Sequence, residues 1–421
     1  MAVLVSVQDL QPGMVLAQSV MKNFNILLSS GQCLDESHIS LLLRQCPDVP
    51  VHIEEEDLDH AVNTKDADWK NETITPEMSK PLKENLETIT QKANVLLCQN
   101  VNLKNEQIRE IEDLIAEMLA FIQKNPLTLN ILEQSVYWHE YLQSHGMHVL
   151  NFSLLLAYQL QDYARRNMQQ EDTRDSEYAA KSLTPLATAA LFHDLGMTPI
   201  QHLYDKTEPL DDKDIAAIKA HPLVSVELLP DEINPSTLQG ILHHHENYDG
   251  SGYMEGLCKN DISVLGRILR IADSYAAAIT HKKYRSSRPP VVVLYEMMFG
   301  DCQNCCDPYL LQLFAGALRP LPIGAKLKLN TEQWGVVVGM HPANPFNPQI
   351  IIAFDQKGRP MPSSKLSESF YLTEREDIQV VSFGKIDLSF LNTPTPDISL
   401  DEYHTELDRI LAEIFPLESV A

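Results

Sequence analysis

Five histidines and two aspartates run through the middle of the 421-residue sequence in a fixed order. They are His145 in YLQSHGMHVLNF, the adjacent His193 and Asp194 in LFHDLG, His221 in IKAHP, His244 and His245 in ILHHHENYDG, and Asp273 in ILRIADSYAAAI. Several stand in apolar helical sequence, where an unpaired polar group costs free energy; a carboxylate such as Asp273 must there be paired, protonated or bound to a cation. Neutral imidazoles and carboxylates suit iron, manganese, zinc, nickel or cobalt. Seven donors exceed what one ion takes from a protein, whereas two divalent ions sharing a bridging carboxylate use all of them. Paired ions hold and polarise a water for attack on a phosphoester. One buried histidine, or one HD dipeptide, has a bland structural explanation; the ordered set H, HD, H, HH, D is much harder to reach by chance. His139, His148, His202, His243 and His281, from the same region, read as structural or surface residues.

The elements that must position these donors are mostly helical. From about residue 82 the apolar period is that of a helix, and QIREIEDLIAEMLAFI sets Ile108, Ile111, Leu114, Ile115, Met118, Leu119 and Ile122 on one stripe. Helical signals continue to about residue 318, with breaks at Pro, Gly or Asp, as where SLTPLATAALFHDLG stops at Gly196. The flanks have a different texture. Residues 3 to 53 alternate apolar runs with turn signals around one helical stretch, ESHISLLLRQC, which suggests a small β-rich domain. After LRPLPIG, the runs AKLKLN, WGVVVGM, QIIIAF and DIQVVSF are β-branched and separated by Asn, Pro and Gly. The expected division is an accessory α+β domain over 1–53, a charged linker over 54–81, a helical connector over 82–136, a helical domain carrying the donors over 137–318, a small β domain over 319–385, and a tail over 386–421 with an amphipathic helix. The fold class expected is mainly α, a helical bundle with β-rich accessory domains. The connector could serve a homodimer or pack on its own domain, and the tail helix could dock on the body or on a signalling partner.

Composition narrows the function. Thirty-three bases against 58 acids give a net charge of −25, which repels polyanions and argues against polymeric nucleic acid, though not against a small anion met by local bases. No window approaches the apolar length of a membrane span, and MAVLVSVQDLQPGM lacks a basic leader, so no membrane attachment is expected and the cytoplasm is the expected location. Seven cysteines in so long a chain do not form a secreted disulfide framework; CQNCC has C-x-x-C spacing without the second pair that a tetrahedral site needs.

HDLG, IKAHP, HHENYDGSGYMEGL, DISVLGRILRIADSYAAAIT and KKYR, in that order between about residues 137 and 318, resemble the HD-GYP family of HD metal-dependent phosphohydrolases. LQPGMVLAQSV also resembles a domain often joined to its N-terminal side, and LPIGAKLKLN with WGVVVG an appendage found after it in some relatives. The resemblance implies an all-helical bundle whose dinuclear site hydrolyses cyclic di-GMP to the linear dinucleotide and GMP, by a hydroxide held between two ions, iron or manganese ahead of zinc, nickel or cobalt. It implies that His145, His193, Asp194 and Asp273 hold one ion and His221, His244 and His245 the other, with Asp194 bridging and central to catalysis. Some trinuclear relatives add a Glu where this chain has Tyr141, so two ions are expected. Glu246 is expected to orient an imidazole, and Lys206, Tyr253, Lys282 and Arg285 to contact a cyclic dinucleotide.

The chain departs from the family pattern. The lysine three residues past the HD aspartate is Met197, which neither donates a proton nor carries charge. The GYP signature reads Gly252, Tyr253, Met254, losing a fixed φ and loosening the loop. The RPYR element becomes Lys282, Lys283, Tyr284, Arg285, replacing a bidentate guanidinium by a point charge, and a family Asp is Ala276. These residues leave three readings: a slow cyclic di-GMP phosphodiesterase, a dimetal module that binds cyclic di-GMP or senses redox state or metal, or an HD phosphohydrolase with another nucleotide substrate.

Overall fold

The computed structural model describes residues 2–22, 25–46, 50–54, 84–85, 88–89, 91–92, 103–124, 145–167, 176–206, 209–279, 288–341, 344–393 and 398–415. The chain divides into two compact units. One comprises Met1–Thr73, Pro289–Tyr295 and Leu318–Leu400; the other comprises Ile74–Arg288, Glu296–Ala317 and Asp401–Ala421.

In the first unit, β1 (Ala2–Val5) pairs antiparallel with β4 (Val51–Glu54), and β2 (Val20–Lys22) with β3 (Asn25–Leu28). Helix α1 (Glu36–Gln45) lies between β3 and β4 in sequence, capped by Asp35, whose carboxylate accepts the His38 amide. A six-stranded antiparallel sheet runs β10 (Ile386–Asp387), β9 (Val380–Phe383), β5 (Lys326–Leu329), β6 (Trp334–His341), β7 (Asn344–Phe354) and β8 (Phe370–Tyr371). Leu4 bridges Ala325, and Val3, Val5, Leu16 and Ile53 share one apolar core with Val336, Ile351 and Phe354. The two β-rich ends, read as separate domains from sequence, thus have a common interior; short-range periodicity carries no trace of such distant pairing.

The second unit is helical. Helix α2 (Asn105–Lys124) buries Ile108, Ile111, Ile115, Met118, Leu119 and Ile122, and packs on α4 (Ser176–Phe192). Helix α3 (His145–Asn167) packs on α4 and on α8 (Val264–Ile279). After short 3-10 turns over Leu195–Asp205 come α5 (Asp212–Lys219), α6 (His221–Leu228) and α7 (Pro235–His243), with α7 against α4 and α8. Helix α9 (Pro290–Phe299) precedes α10 (Pro308–Leu318). Phe152, Tyr275 and Phe314 meet edge to face at 5.0 to 5.9 Å, locking α3, α8 and α10 together. The fully buried Arg267 of α8 donates to Asp307 at 2.8 Å, while the other Asp307 oxygen accepts the Tyr309 amide that opens α10. The tail helix α11 (Leu400–Ile414) buries Leu407, Ile410, Leu411 and Ile414, and the Tyr163 hydroxyl donates to the His404 carbonyl, so this helix docks on the body. The whole is mainly α with antiparallel β structure in the terminal regions. Among the described residues, no helix is long and apolar enough to cross a membrane.

Candidate metal centre

Helix ends build the site. His193 and Asp194 follow the last turn of α4, His221 follows α5, and His244 closes α7. Carbonyls in a last helical turn have no amide partner further along, and each of these imidazoles takes one three residues back. His193 Nδ1 pairs with the Ala190 carbonyl at 2.9 Å, His221 Nδ1 with Ile218 at 2.6 Å, and His244 Nδ1 with Ile241 at 2.6 Å. A carbonyl only accepts, so each Nδ1 carries the proton and each Nε2 offers a lone pair inward. The negative ends of three helix dipoles converge on the same place.

Three overlapping groups of donors result, each with its ligand atoms within 4.8 Å of one another: His145, His193 and Asp273; His193, Asp194 and His244; and His221, His244 and His245. His145 Nε2 lies 2.7 Å from Asp273 Oδ1. Asp194 turns Oδ1 to His221 Nε2 at 3.1 Å and Oδ2 to His193 Nε2 at 3.6 Å. His221 and His244 bring their Nε2 atoms to 3.1 Å, and His193 Nε2 is buried without a hydrogen-bond partner. Two lone pairs face to face and an orphaned buried nitrogen are unfavourable unless a cation lies between them. Nitrogens in adjacent positions around one transition-metal ion sit about 3.0–3.4 Å apart, depending on coordination geometry, so the donor set fits divalent transition metals.

The electrostatics agree. Burial alone would raise the Asp194 pKa, but His193, His221 and His145 outweigh it and hold the carboxyl well below the usual range. Asp273 is likewise lowered against its burial, chiefly by His145. Burial lowers His244, and lowers His245 to about 4, keeping both neutral and ready to coordinate.

Close packing explains two glycines. A Cβ on Gly196 would lie 2.2 Å from the His221 carbonyl oxygen, and the Gly196 amide donates to Ser225 Oγ, which donates in turn to the His193 carbonyl. Sequence reasoning passed over Ser225, an ordinary serine in HPLVSVEL, although it anchors the HD turn. A Cβ on Gly252 would meet the Asn247 nitrogen at 2.2 Å.

Two expectations for this loop change. Glu246 does not turn to an imidazole: one carboxylate oxygen accepts the amides of Glu255 and Gly256, the other that of Leu257, so it holds the loop closed. Met254 does not merely loosen the loop by replacing proline; its φ of 114° is one that proline cannot adopt.

The Tyr253 ring stacks on His245 at 4.7 Å, and the Tyr253 amide donates to the His245 carbonyl. Burial, then Asp273 and Asp194, raise the Tyr253 hydroxyl pKa, so it remains a donor. Lys206 is ion-paired with Asp214. His243 accepts the Ser263 amide, His148 is buried and stacks on Phe152, and His202 is exposed. Lys282, Arg285, His139, His281 and Tyr141 lie outside the described residues.

Residues 155–298 match the HD domain family. The chain is 25% identical over 254 residues to the cyclic di-GMP phosphodiesterase PA4108 of Pseudomonas aeruginosa, covering 59% of this chain and 57% of that protein. It is 29% identical over 167 residues to the cyclic di-GMP phosphodiesterase PdeB of Borreliella burgdorferi, covering 39% and 44%, and 31% identical over 140 residues to the 3'3'-cGAMP-specific phosphodiesterase 3 of Vibrio cholerae, covering 32% and 30%. Residues 155–298 thus form an HD domain, and these similarities support membership of the HD-GYP family. The chain spans little more than half of the first of these relatives and less of the others. Within the matched HD domain, Met197, three residues past Asp194, is buried at 8% exposure.

Proposed function

We propose that the chain is a metal-dependent phosphodiesterase of cyclic dinucleotides, with cyclic di-GMP as substrate and the linear dinucleotide pGpG, GMP or both as products. The observation that carries the reading is the convergence of all seven donors with their coordinating atoms turned inward. His145, His193, Asp194 and Asp273 would hold one ion, and His221, His244 and His245 a second, with Asp194 shared. The ions, iron or manganese, would supply Lewis-acid activation of water and neutralisation of phosphate charge. The chain's own residues do the rest. The carbonyls of Ala190, Ile218 and Ile241 fix the tautomer of three imidazoles. Glu246 holds the glycine loop shut, and Tyr253, stacked on His245, offers a hydroxyl proton to an anion. The named activities of the relatives support this substrate class, which includes 3'3'-cGAMP.

Met197 favours a second reading, a module that binds the dinucleotide with little turnover, because a buried thioether cannot stabilise charge developing at phosphorus. Anaerobic incubation of the protein, reconstituted with Fe²⁺ or Mn²⁺, with cyclic di-GMP and with 3'3'-cGAMP separates the two. Linear dinucleotide or GMP, absent from an Asp194→Ala control, is expected. Intact nucleotide on metal-loaded protein would establish the binding module.

A further inference from the structure

We propose that Arg270 binds a phosphate oxygen of the substrate, supplying from helix α8 the positive charge that Met197 does not. The inference rests on the phosphodiesterase reading for its substrate and on the following geometry for its site. Arg270 lies three residues before Asp273 on α8, so the two side chains leave the same helix face. The opposite wall is the loop that carries His245 and Tyr253, whose rings stack at 4.7 Å. The Arg270 charge is felt at His245, at Tyr253 and at Asp249, in keeping with a position on the Asp273 face of the helix near that loop.

The same charge is also felt at Cys305 and Cys306, whose pKa values burial raises, so neither thiol is an anionic partner. Arg270 Nε is buried with no hydrogen-bond partner, and no hydrogen bond or ion pair holds its guanidinium among the described residues. Arg267, one turn earlier, also leaves its Nε without a partner, but its Nη atoms are ion-paired with Asp307 and Glu413. The Asp249 carboxylate is taken by the amide and hydroxyl of Ser251, and Lys206 by Asp214. The Arg270 side chain is half-buried, and its buried Nε–H without a partner is costly; an anion that arrives with the substrate removes that cost. The planar fork of a guanidinium matches two oxygens of a phosphodiester, a geometry that neither Met197 nor a lysine offers.

The test compares wild-type protein, Arg270→Ala and Arg270→Lys, all loaded with Mn²⁺. Three quantities are measured: metal content, kcat and KM for cyclic di-GMP, and the affinity of inorganic phosphate by calorimetry. Arg270→Ala should keep its metal, lose kcat/KM by roughly 100-fold and bind phosphate about tenfold more weakly, with Arg270→Lys recovering part of each. Unchanged kcat/KM and phosphate affinity in metal-replete Arg270→Ala would overturn the proposal. If even the wild type fails to hydrolyse cyclic dinucleotides, the phosphodiesterase reading fails, while phosphate affinity still judges Arg270: equal affinities in wild type and variant refute it. If Arg270→Ala loses metal, the Arg270→Lys protein decides, since a lysine that leaves phosphate affinity and kcat/KM unchanged removes the claimed role of the fork.

Discussion

Asp194 faces His221 with one carboxylate oxygen, at 3.1 Å, and His193 with the other, at 3.6 Å. A single side chain therefore belongs to both donor groups, and its removal should weaken both. Wild-type protein is expected to retain two Mn²⁺ or Fe²⁺ ions per chain by elemental analysis, and Asp194→Ala no more than one. An ion present at about a hundred times its dissociation constant stabilises the folded state by about 2.7 kcal/mol. A chelator should thus lower the Tm of the loaded wild type by several degrees and leave that of the variant nearly unchanged.

The site should load better as pH rises. Burial alone would depress His221, but Asp194 outweighs it and holds its pKa above the usual histidine value. In metal-free protein the stability this pair contributes is complete below about pH 6.5, the unfolded pKa, and disappears as pH rises through the higher folded value. Coordination needs the same proton to leave. Affinity for Zn²⁺ should therefore climb about tenfold per pH unit below the folded pKa of His221 and flatten above it. His245, lowered to about 4, needs no deprotonation in that range. A pH-independent affinity between pH 6 and 7 would contradict this assignment.

Glu246 and Gly252 should control loop order rather than metal content. Glu246→Ala leaves three amides without their acceptor, each bond to a charged group contributing about 1.5–3 kcal/mol. Gly252→Ala forces a methyl group into the Asn247 backbone. Both variants are expected to be cut faster by protease within residues 247–257 and to show a raised KM, with metal stoichiometry preserved.

Met254 carries strain that a smaller residue relieves. With φ at 114°, Met254→Gly should stabilise the domain by about 1 kcal/mol, read as a higher denaturation midpoint. Met254→Pro, which spells the family signature, requires a φ near −65° and should lower both stability and turnover.

The convergence of these imidazoles and carboxylates was legible because their chemistry is written in residue types: imidazoles at the ends of apolar helices and an aspartate inside one need partners. The strands of the second half were legible for a similar reason, since β-branched runs between Asn, Pro and Gly became β5, β6, β7 and β9. Arg270 was not, because an arginine in RILRIADS is indistinguishable in sequence from Arg267, and only packing shows that Arg267 has ion-pair partners while Arg270 has none among the described residues. Glu246 was misjudged because its partners are backbone amides ten residues on, to which side-chain identity gives no clue.

The core shared by the two β-rich ends also sets an order of events. Leu4 bridges Ala325, which is synthesised 321 residues later. At roughly 5–20 residues per second, the first strand leaves the ribosome some tens of seconds before its apolar neighbours on β6 and β7 exist. The helical unit, most of whose chain lies between them, is largely made before the β unit can close. Residues 2–54 thus spend the interval without the β6 and β7 side chains that complete the core of Val3, Val5, Leu16 and Ile53, a stretch of nascent chain with good reason to engage a chaperone.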